Sequence, residues 1–254
     1  MTNPFLRFTL FILLASSALA QVNTEKFRTD DGKTGFALRA ELNFTIMSGN
    51  TDFKFIGSDT RLDYSRSSGF TFLVFNSGFG SNNGKRFFGE TLFHLRDVET
   101  VHEMIQIETF GQYNQNKERL LIERIIGGAG PRLRLYRTDA FQFILGTSFF
   151  YETELYDLSD SAVHPRHEEA VRFNTYLTLH LKIKENAKLM GVVYLQPSLN
   201  DWDDIRYISD LALNVNLDTS VDFSTTINMR YDSIPPDDIK KLDMTTKMGI
   251  SLNF

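Results

Sequence analysis

The stretch 221-VDFSTTINMRYD-232 alternates strictly between two kinds of side chain. Val221, Phe223 and Ile227 fall on one side of an extended segment, and Asp222 and Arg230 fall on the other. After a turn-rich insert, the same alternation returns in 241-KLDMTTKMGISLNF-254. Successive side chains of a β-strand leave opposite faces of the sheet, so a period of two predicts strands. Residues 220–254 therefore predict a long amphipathic hairpin.

Most of the chain repeats this design. The third predicted strand is apolar on both faces, so its orientation is not fixed by the pattern. Together the alternating segments predict an all-β fold with twelve antiparallel strands. The predicted strands cover about 35–46, 59–64, 70–77, 90–96, 101–112, 120–136, 141–151, 171–184, 189–197, 207–217, 220–232 and 241–254.

The predicted connections differ at the two ends of the strands. Short turns follow the even-numbered strands, for example at 66–68, at 137–139 and at Asp97-Val98-Glu99. Longer polar loops follow strands 3, 7, 9 and 11, and the longest covers about 153–169. Short turns at one end and longer loops at the other are typical of an outer-membrane barrel.

The first 20 residues have the plan of a secretory signal peptide. Arg7 precedes an almost wholly apolar run from Phe8 to Leu14, and Ala18-Leu19-Ala20 is a small-x-small cleavage site. The apolar run is far shorter than the roughly 20 residues that a membrane-spanning helix needs. We therefore expect a cleaved signal peptide over 1–20, a flexible periplasmic leader over 21–34 and one barrel over 35–254.

Composition limits the possible classes of protein. Without residues 1–20, which contain one charged residue, Arg7, the chain has 26 basic and 32 acidic side chains and a net charge of −6. This mild acidity, with the charges in mixed order, argues against a nucleic-acid partner. The absence of cysteine excludes a disulfide framework. After residue 20 no apolar run is long enough for a transmembrane helix, so a membrane form would have to be a barrel.

The polar face of the strands carries charges of both signs. Twelve strands should enclose a bore too wide for side chains to fill, so we expect the apolar face to contact lipid and the charged face to line a watery lumen. The chain also ends on an aromatic residue, Phe254, in phase with the apolar face. The predicted lumen-lining residues are Arg39, Glu41, Glu108, Arg124, Arg172, His180, Lys182, Asp222, Arg230, Asp243 and Lys247.

Three motifs resemble one known family. They are Tyr231-Asp232-Ser233-Ile234-Pro235-Pro236 with the following Lys240-Lys241-Leu242-Asp243, the early turn Gly49-Asn50-Thr51-Asp52, and Leu195-Gln196-Pro197-Ser198-Leu199 before a run of Asp residues and Arg206. Over about 35–254 the chain resembles the YdiY-like, salt-induced outer-membrane protein family, a domain of unknown function. The resemblance implies a Gram-negative outer-membrane barrel and supplies no catalytic residues.

Candidate sites for other chemistry are weak. His164 and His167 with nearby carboxylates could bind a metal in a loop, and Asp201, Asp203 and Asp204 could bind calcium, but a solvated polar loop is the simpler interpretation of each. Ser148 and His180, on adjacent predicted strands, are the one pair worth inspecting for a hydrolase. We therefore expect no metal site, no cofactor and no enzymatic activity.

The predicted function is that of a non-enzymatic barrel in the bacterial outer membrane, either a narrow pore for small polar solutes or a structural or stress protein of the envelope. The expected partners are outer-membrane lipid and lipopolysaccharide, and the barrel-assembly machinery through Phe254. Two alternatives stay open. One is a barrel enzyme that acts on lipids, and the other is a soluble periplasmic barrel that carries a ligand in an apolar interior.

Overall fold

The computed structural model describes residues 34–48, 52–218 and 221–252. The predicted signal peptide over 1–20, nearly all of the leader over 21–34 and the terminal Phe254 lie outside the described residues. Within them, no helix is long and apolar enough to cross a membrane.

The described chain is all-β, as predicted, with twelve strands. One 3-10 turn, Lys117–Arg119, separates the fifth strand from the sixth. The strands are β1 (Gly35–Met47), β2 (Phe53–Arg66), β3 (Gly69–Asn82), β4 (Lys85–His102), β5 (Ile105–Asn116), β6 (Leu121–Arg137), β7 (Phe141–Tyr156), β8 (His167–Lys184), β9 (Ala187–Pro197), β10 (Ile205–Asp218), β11 (Val221–Asp232) and β12 (Leu242–Leu252).

All twelve strands form one antiparallel sheet in which each strand pairs with its neighbours in sequence. The edges of this sheet are β1 and β12, and no backbone pairing joins them among the residues that the structure describes. The closed barrel that the sequence indicates therefore stays a prediction.

The connection between β3 and β4 corrects the sequence analysis. We expected a long loop there, but β3 continues to Asn82 and a two-residue turn, Asn83-Gly84, leads directly into β4. Both turn residues have positive φ, 49° and 74°, as a type I′ hairpin requires. The misleading signal came from glycines such as Gly78, where a Cβ would lie 2.5 Å from the ring of Phe88. That glycine makes room for an aromatic side chain within a strand and does not mark a loop.

Two other boundaries also differ from the prediction. Asp97-Val98-Glu99 is not a turn, because β4 runs on to His102 and the turn falls at 103–104. Arg66 of β2 reaches both carboxylates at 2.8 Å, so these charges pair with a strand two positions away in the sheet and do not mark a turn. The loop predicted over 153–169 is shorter, since β7 extends to Tyr156 and β8 begins at His167.

One face of the sheet is concave, because side chains from strands that are not neighbours meet on it. The Tyr176 hydroxyl of β8, for example, donates a hydrogen bond of 2.7 Å to Glu108 of β5. We call this the inner face and the opposite side the outer face. The outer face is largely apolar and exposed, with Phe149 at 56%, Leu95 at 46% and Leu177 at 43% of full exposure. An apolar interior, as in a soluble carrier, is not what this sheet presents.

The inner face is packed with side chains along β3–β10, although we expected a bore too wide to fill. Buried arginine, glutamate and asparagine side chains share this face with two apolar clusters. In one of them, Phe70, Phe72 and Val74 point inward, which settles the orientation of β3. The second consists of Tyr176, Val192, Tyr194 and Ile208. Along β1 and β12 the same face is more exposed, so the packing is concentrated away from the two edges of the sheet.

Candidate functional site

The most concentrated group of charges lies on the inner face near the loop ends of the strands. We call it the ionic cluster: Arg124 of β6, Glu152 and Glu154 of β7, Arg172 of β8 and Arg206 of β10. Each member is at most 4% exposed. Buried charges are costly unless they are paired and hydrogen-bonded, so such a group requires close geometric matching.

Glu152 is the centre of the cluster. Its carboxylate accepts hydrogen bonds from Arg124 Nη2 at 2.5 Å and from Arg206 Nη1 at 3.0 Å, and a further one from Arg172 Nε. One carboxylate thus joins guanidinium groups from three strands: β6 and β8 adjoin β7 in the sheet, whereas β10 does not. These charge-assisted contacts hold the curl of the sheet at this level.

Arg206 extends the cluster to its second carboxylate and beyond. Its Nη2 donates to Glu154 at 2.8 Å, and its Nε donates to Asp232 at 3.0 Å. Arg172 likewise reaches Asp204 in the β9–β10 loop at 2.6 Å. The cluster therefore connects the β9–β10 loop, at Asp204, and the end of β11, at Asp232, to the inner face of the sheet.

Two small cavities adjoin the cluster, and Arg124 lines both. The loop-end cavity, of about 40 Å³, also contacts Tyr156, Pro235 and Pro236. Its charged lining is Arg119, Arg124, Arg206, Arg230, Lys240, Lys241, Glu154, Asp232 and Asp243. The inner cavity, of about 50 Å³, shares Arg124 with the loop-end cavity, and its polar lining is His94, Arg96, Gln112, Arg124, Asn174 and Gln196.

The inner cavity is also lined by aromatic rings and by the guanidinium group of Arg96, whose position is fixed by its neighbours. Phe110, Phe150 and Tyr194 line it beside Arg96. The guanidinium of Arg96 lies 5.3 Å from the ring centre of Phe110 and 3.4 Å from Glu108. A carboxylate on one side and an aromatic face on the other fix the position of this cation. The cavity thus combines flat apolar surface with amide and cationic donors.

Two loops meet at the open end of the loop-end cavity. In the loop over 157–166, the backbone N–H of His164 donates to Asp237 of the loop over 233–241 at 2.8 Å. This hydrogen bond lowers the pKa of the Asp237 carboxyl below its ordinary value of 3.8. The His164 ring packs edge-on against Tyr156, with ring centres 5.2 Å apart, and its side chain is 5% exposed. The solvated loop predicted here is therefore a packed one at His164.

The residues predicted to line a lumen are placed in three environments. Glu108, Arg124, Arg172 and Arg230 are buried on the inner face. His180, Lys182, Asp222 and Asp243 are half-buried, and Arg39, Glu41 and Lys247 are exposed along the two edge strands. The structure brings Arg124 and Arg172 together through Glu152, and it places Asp243 2.6 Å from Arg119. Their role in lining a pore stays a prediction.

Sequence reasoning missed the carboxylates of the cluster. Glu154 was assigned to the loop over 153–169 and Glu152 was left just beyond the predicted strand, although both continue the alternation of Ser148 and Phe150 along β7. Continuing the alternation by two more inward positions, 152 and 154, would have identified both glutamates. Arg206 was noted only as part of a motif, and its partners on β7 follow from the curl of the sheet, which no local pattern shows.

The pair considered for hydrolase chemistry is not brought together. Ser148 lies opposite Asn174, whereas His180 lies opposite Gln142. Six residues of strand separate the two positions, which is about 20 Å at the usual rise. Ser148 Oγ instead accepts a hydrogen bond of 2.9 Å from Asn174. Among the described residues, no three His, Asp or Glu side chains are grouped so that they could hold a metal ion.

Comparisons with known proteins give one family. No curated protein matches the chain. A solved structure described as "NanC porin structure in rhombohedral crystal form" is similar, with a TM-score of 0.46 and 12% sequence identity over 78% of this chain and 94% of that one. A family model described as "Protein of unknown function, DUF481" matches residues 40–254, in agreement with the resemblance noted in the sequence. The chain therefore belongs to the DUF481 family of proteins of unknown function.

Proposed function

We propose that the chain closes into a barrel in the bacterial outer membrane and provides a narrow passage for small polar solutes. The observation that carries this proposal is the division of the sheet into an exposed apolar outer face and a charged inner face. In water such a surface would aggregate, whereas in a bilayer the same surface contacts acyl chains.

The length of the apolar face supports a membrane setting. On β7 the outward side chains are apolar or small from Phe141 to Tyr151. Ten residues of strand extend for about 33 Å, and at the usual tilt of transmembrane strands this projects to about 25 Å, the height of a typical apolar band. Glu152 follows immediately, so the ionic cluster would lie at the loop-side boundary of the membrane. The expected partners are then outer-membrane lipid and lipopolysaccharide, with Phe254 presented to the barrel-assembly machinery.

The packed inner face supports a narrow passage and not a wide one. Inward side chains are packed along β3–β10, whereas inward residues of the edge strands, such as Arg39, Glu41 and Lys247, are exposed. A closed barrel would thus keep its free space beside the edge strands and in the cavities next to the ionic cluster. Non-enzymatic transport fits this arrangement, since Ser148 and His180 lie far apart.

A structural barrel without a passage is the second candidate, because the ionic cluster spans the inner face close to the loops. Recording from the purified, refolded protein in planar lipid bilayers separates the two. Discrete conductance steps of small size are expected for the passage. Silent bilayers, with folded protein shown to be inserted, would contradict the passage and leave the structural barrel.

A further inference from the structure

We propose that the passage selects small anions and that Arg124 is the residue at which they are selected. This inference deepens the proposed function and rests on it. Arg124 is the residue that the loop-end cavity and the inner cavity have in common, since it lines both. A solute that moves from the loops through these cavities would have to pass it.

The entrance to this path has an excess of positive charge. Six basic and three acidic side chains line the loop-end cavity among the residues that the structure describes. Two of the basic ones, Lys240 and Lys241, are exposed at the mouth. Clefts lined by one sign of charge raise the local concentration of the opposite ion. This local excess contrasts with the net charge of −5 for the whole chain, so it does not simply follow the composition.

The lining of the inner cavity also favours negatively charged solutes. Arg96 and Arg124 line it, and none of the described residues that line it is a carboxylate. The glutamates that hold these arginines, Glu108 and Glu152, contact the guanidinium groups but do not line this cavity. The carboxylates therefore position the two cations from behind, and an entering solute meets guanidinium, amide and aromatic groups.

The shape of the path limits the size of the anion. The two cavities hold about 40 Å³ and 50 Å³. A single water needs roughly 10–15 Å³ by such a measure, so each cavity has room for a few waters or a solute of a few heavy atoms. Arginine offers several N–H donors in one plane, which suits carboxylate and phosphate groups. Inorganic anions and small carboxylates are the class that fits.

The test is the reversal potential of the wild-type protein in planar bilayers under a KCl gradient. We expect chloride to permeate at least about threefold better than potassium, as a positively lined constriction predicts. Arg124→Gln should bring this ratio close to one. The matched control is Arg166→Gln, since Arg166 is an exposed loop residue that pairs with Asp160 and lines neither cavity, and it should keep the wild-type ratio.

Arg124→Gln could fail to fold, because it removes a partner of buried Glu152. Lys240→Glu combined with Lys241→Glu avoids this problem, since both lysines are exposed, and it should lower the chloride preference at least twofold. A wild-type channel that prefers potassium, or one whose ratio is unchanged in the lysine variant, would overturn the anion inference and leave the passage intact. A folded, inserted protein without conductance would overturn both.

Discussion

Glu152 joins three guanidinium groups on the inner face of the sheet. It is 1% exposed, and its carboxylate is bound by three guanidinium groups. Glu152→Gln keeps the shape but leaves Arg124, Arg172 and Arg206 with one negative charge fewer. Removing one partner of a buried ion pair costs about 3–5 kcal/mol. We expect a matching fall in the free energy of unfolding, measured by urea denaturation in lipid vesicles.

The control for Glu152→Gln is Asp160→Asn. Asp160 also pairs with an arginine, Arg166 at 2.6 Å, but its side chain is 96% exposed. Exposed ion pairs contribute little to stability, so this variant should unfold like the wild type. Equal effects of the two substitutions would show that the cluster around Glu152 is not a stabilising unit.

The residues of the cluster were only partly predictable. Arg124 and Arg172 follow from the parity of their strands, because each alternates with outward apolar neighbours. Glu152 was lost because the strand was predicted to end at Tyr151, one residue before it, whereas β7 runs to Tyr156. That Arg206 of β10 would meet Glu152 of β7 depends on the curvature of the sheet, and curvature is a property of many strands together.

Among the elements, the β3–β4 hairpin gives a direct test. Gly84 has a φ of 74°, in the left-handed region, and nothing lies within 4 Å of an added Cβ. Gly84→Ala therefore adds strain without a clash, and a non-glycine residue in this conformation costs about 1–2 kcal/mol. Gly127→Ala is the matched control, because Gly127 lies in β6 without positive φ and with equally open surroundings. Denaturation should show a loss for Gly84→Ala that Gly127→Ala does not share.

The sequence predicted the presence and order of the strands better than the residues at which they begin and end. The period of two is a local property and located all twelve. The predicted loops and turns were wrong where a residue that is common in turns has another role. Gly78 makes room for the ring of Phe88, and Asp97 pairs with Arg66. Asn83-Gly84 does carry a type I′ signature, so the sequence contained that turn even though the surrounding glycines obscured it.

The contact between the loops over 157–166 and 233–241 should depend on pH. The ionised Asp237 carboxylate accepts the His164 N–H, and its pKa is lowered by that bond. A lowered carboxyl pKa means that the contact contributes fully above the ordinary value of 3.8 and is lost as the pH falls through the lowered value. Amide exchange at His164 should accelerate only in that acid range. In Asp237→Asn, whose amide oxygen still accepts the bond, the acid-dependent step should vanish, and its persistence would assign the step to another group.

At the scale of the whole molecule, the decisive question is what the outer face contacts. Leu177 lies on β8 between outward Phe173 and Leu181 and is 43% exposed. In a bilayer, an arginine at such a mid-strand position costs about 2–4 kcal/mol. On a soluble protein it would be neutral or would improve solubility, because it replaces an exposed apolar side chain. Leu177→Arg therefore distinguishes a membrane protein from a soluble one, because it should destabilise the folded protein only in a bilayer.

Val163→Arg supplies the comparison, since Val163 is apolar and 92% exposed but lies in the loop over 157–166, beyond the end of β7. We expect Leu177→Arg to reduce the yield of folded, detergent-extracted protein from outer membranes several-fold, and Val163→Arg to leave that yield unchanged. Both substitutions add the same charge to the chain, so a difference in yield between the two variants depends only on where the arginine lies. If Leu177→Arg gave as much folded protein as the wild type, the outer face would not contact lipid, and the charged inner face would need a different explanation.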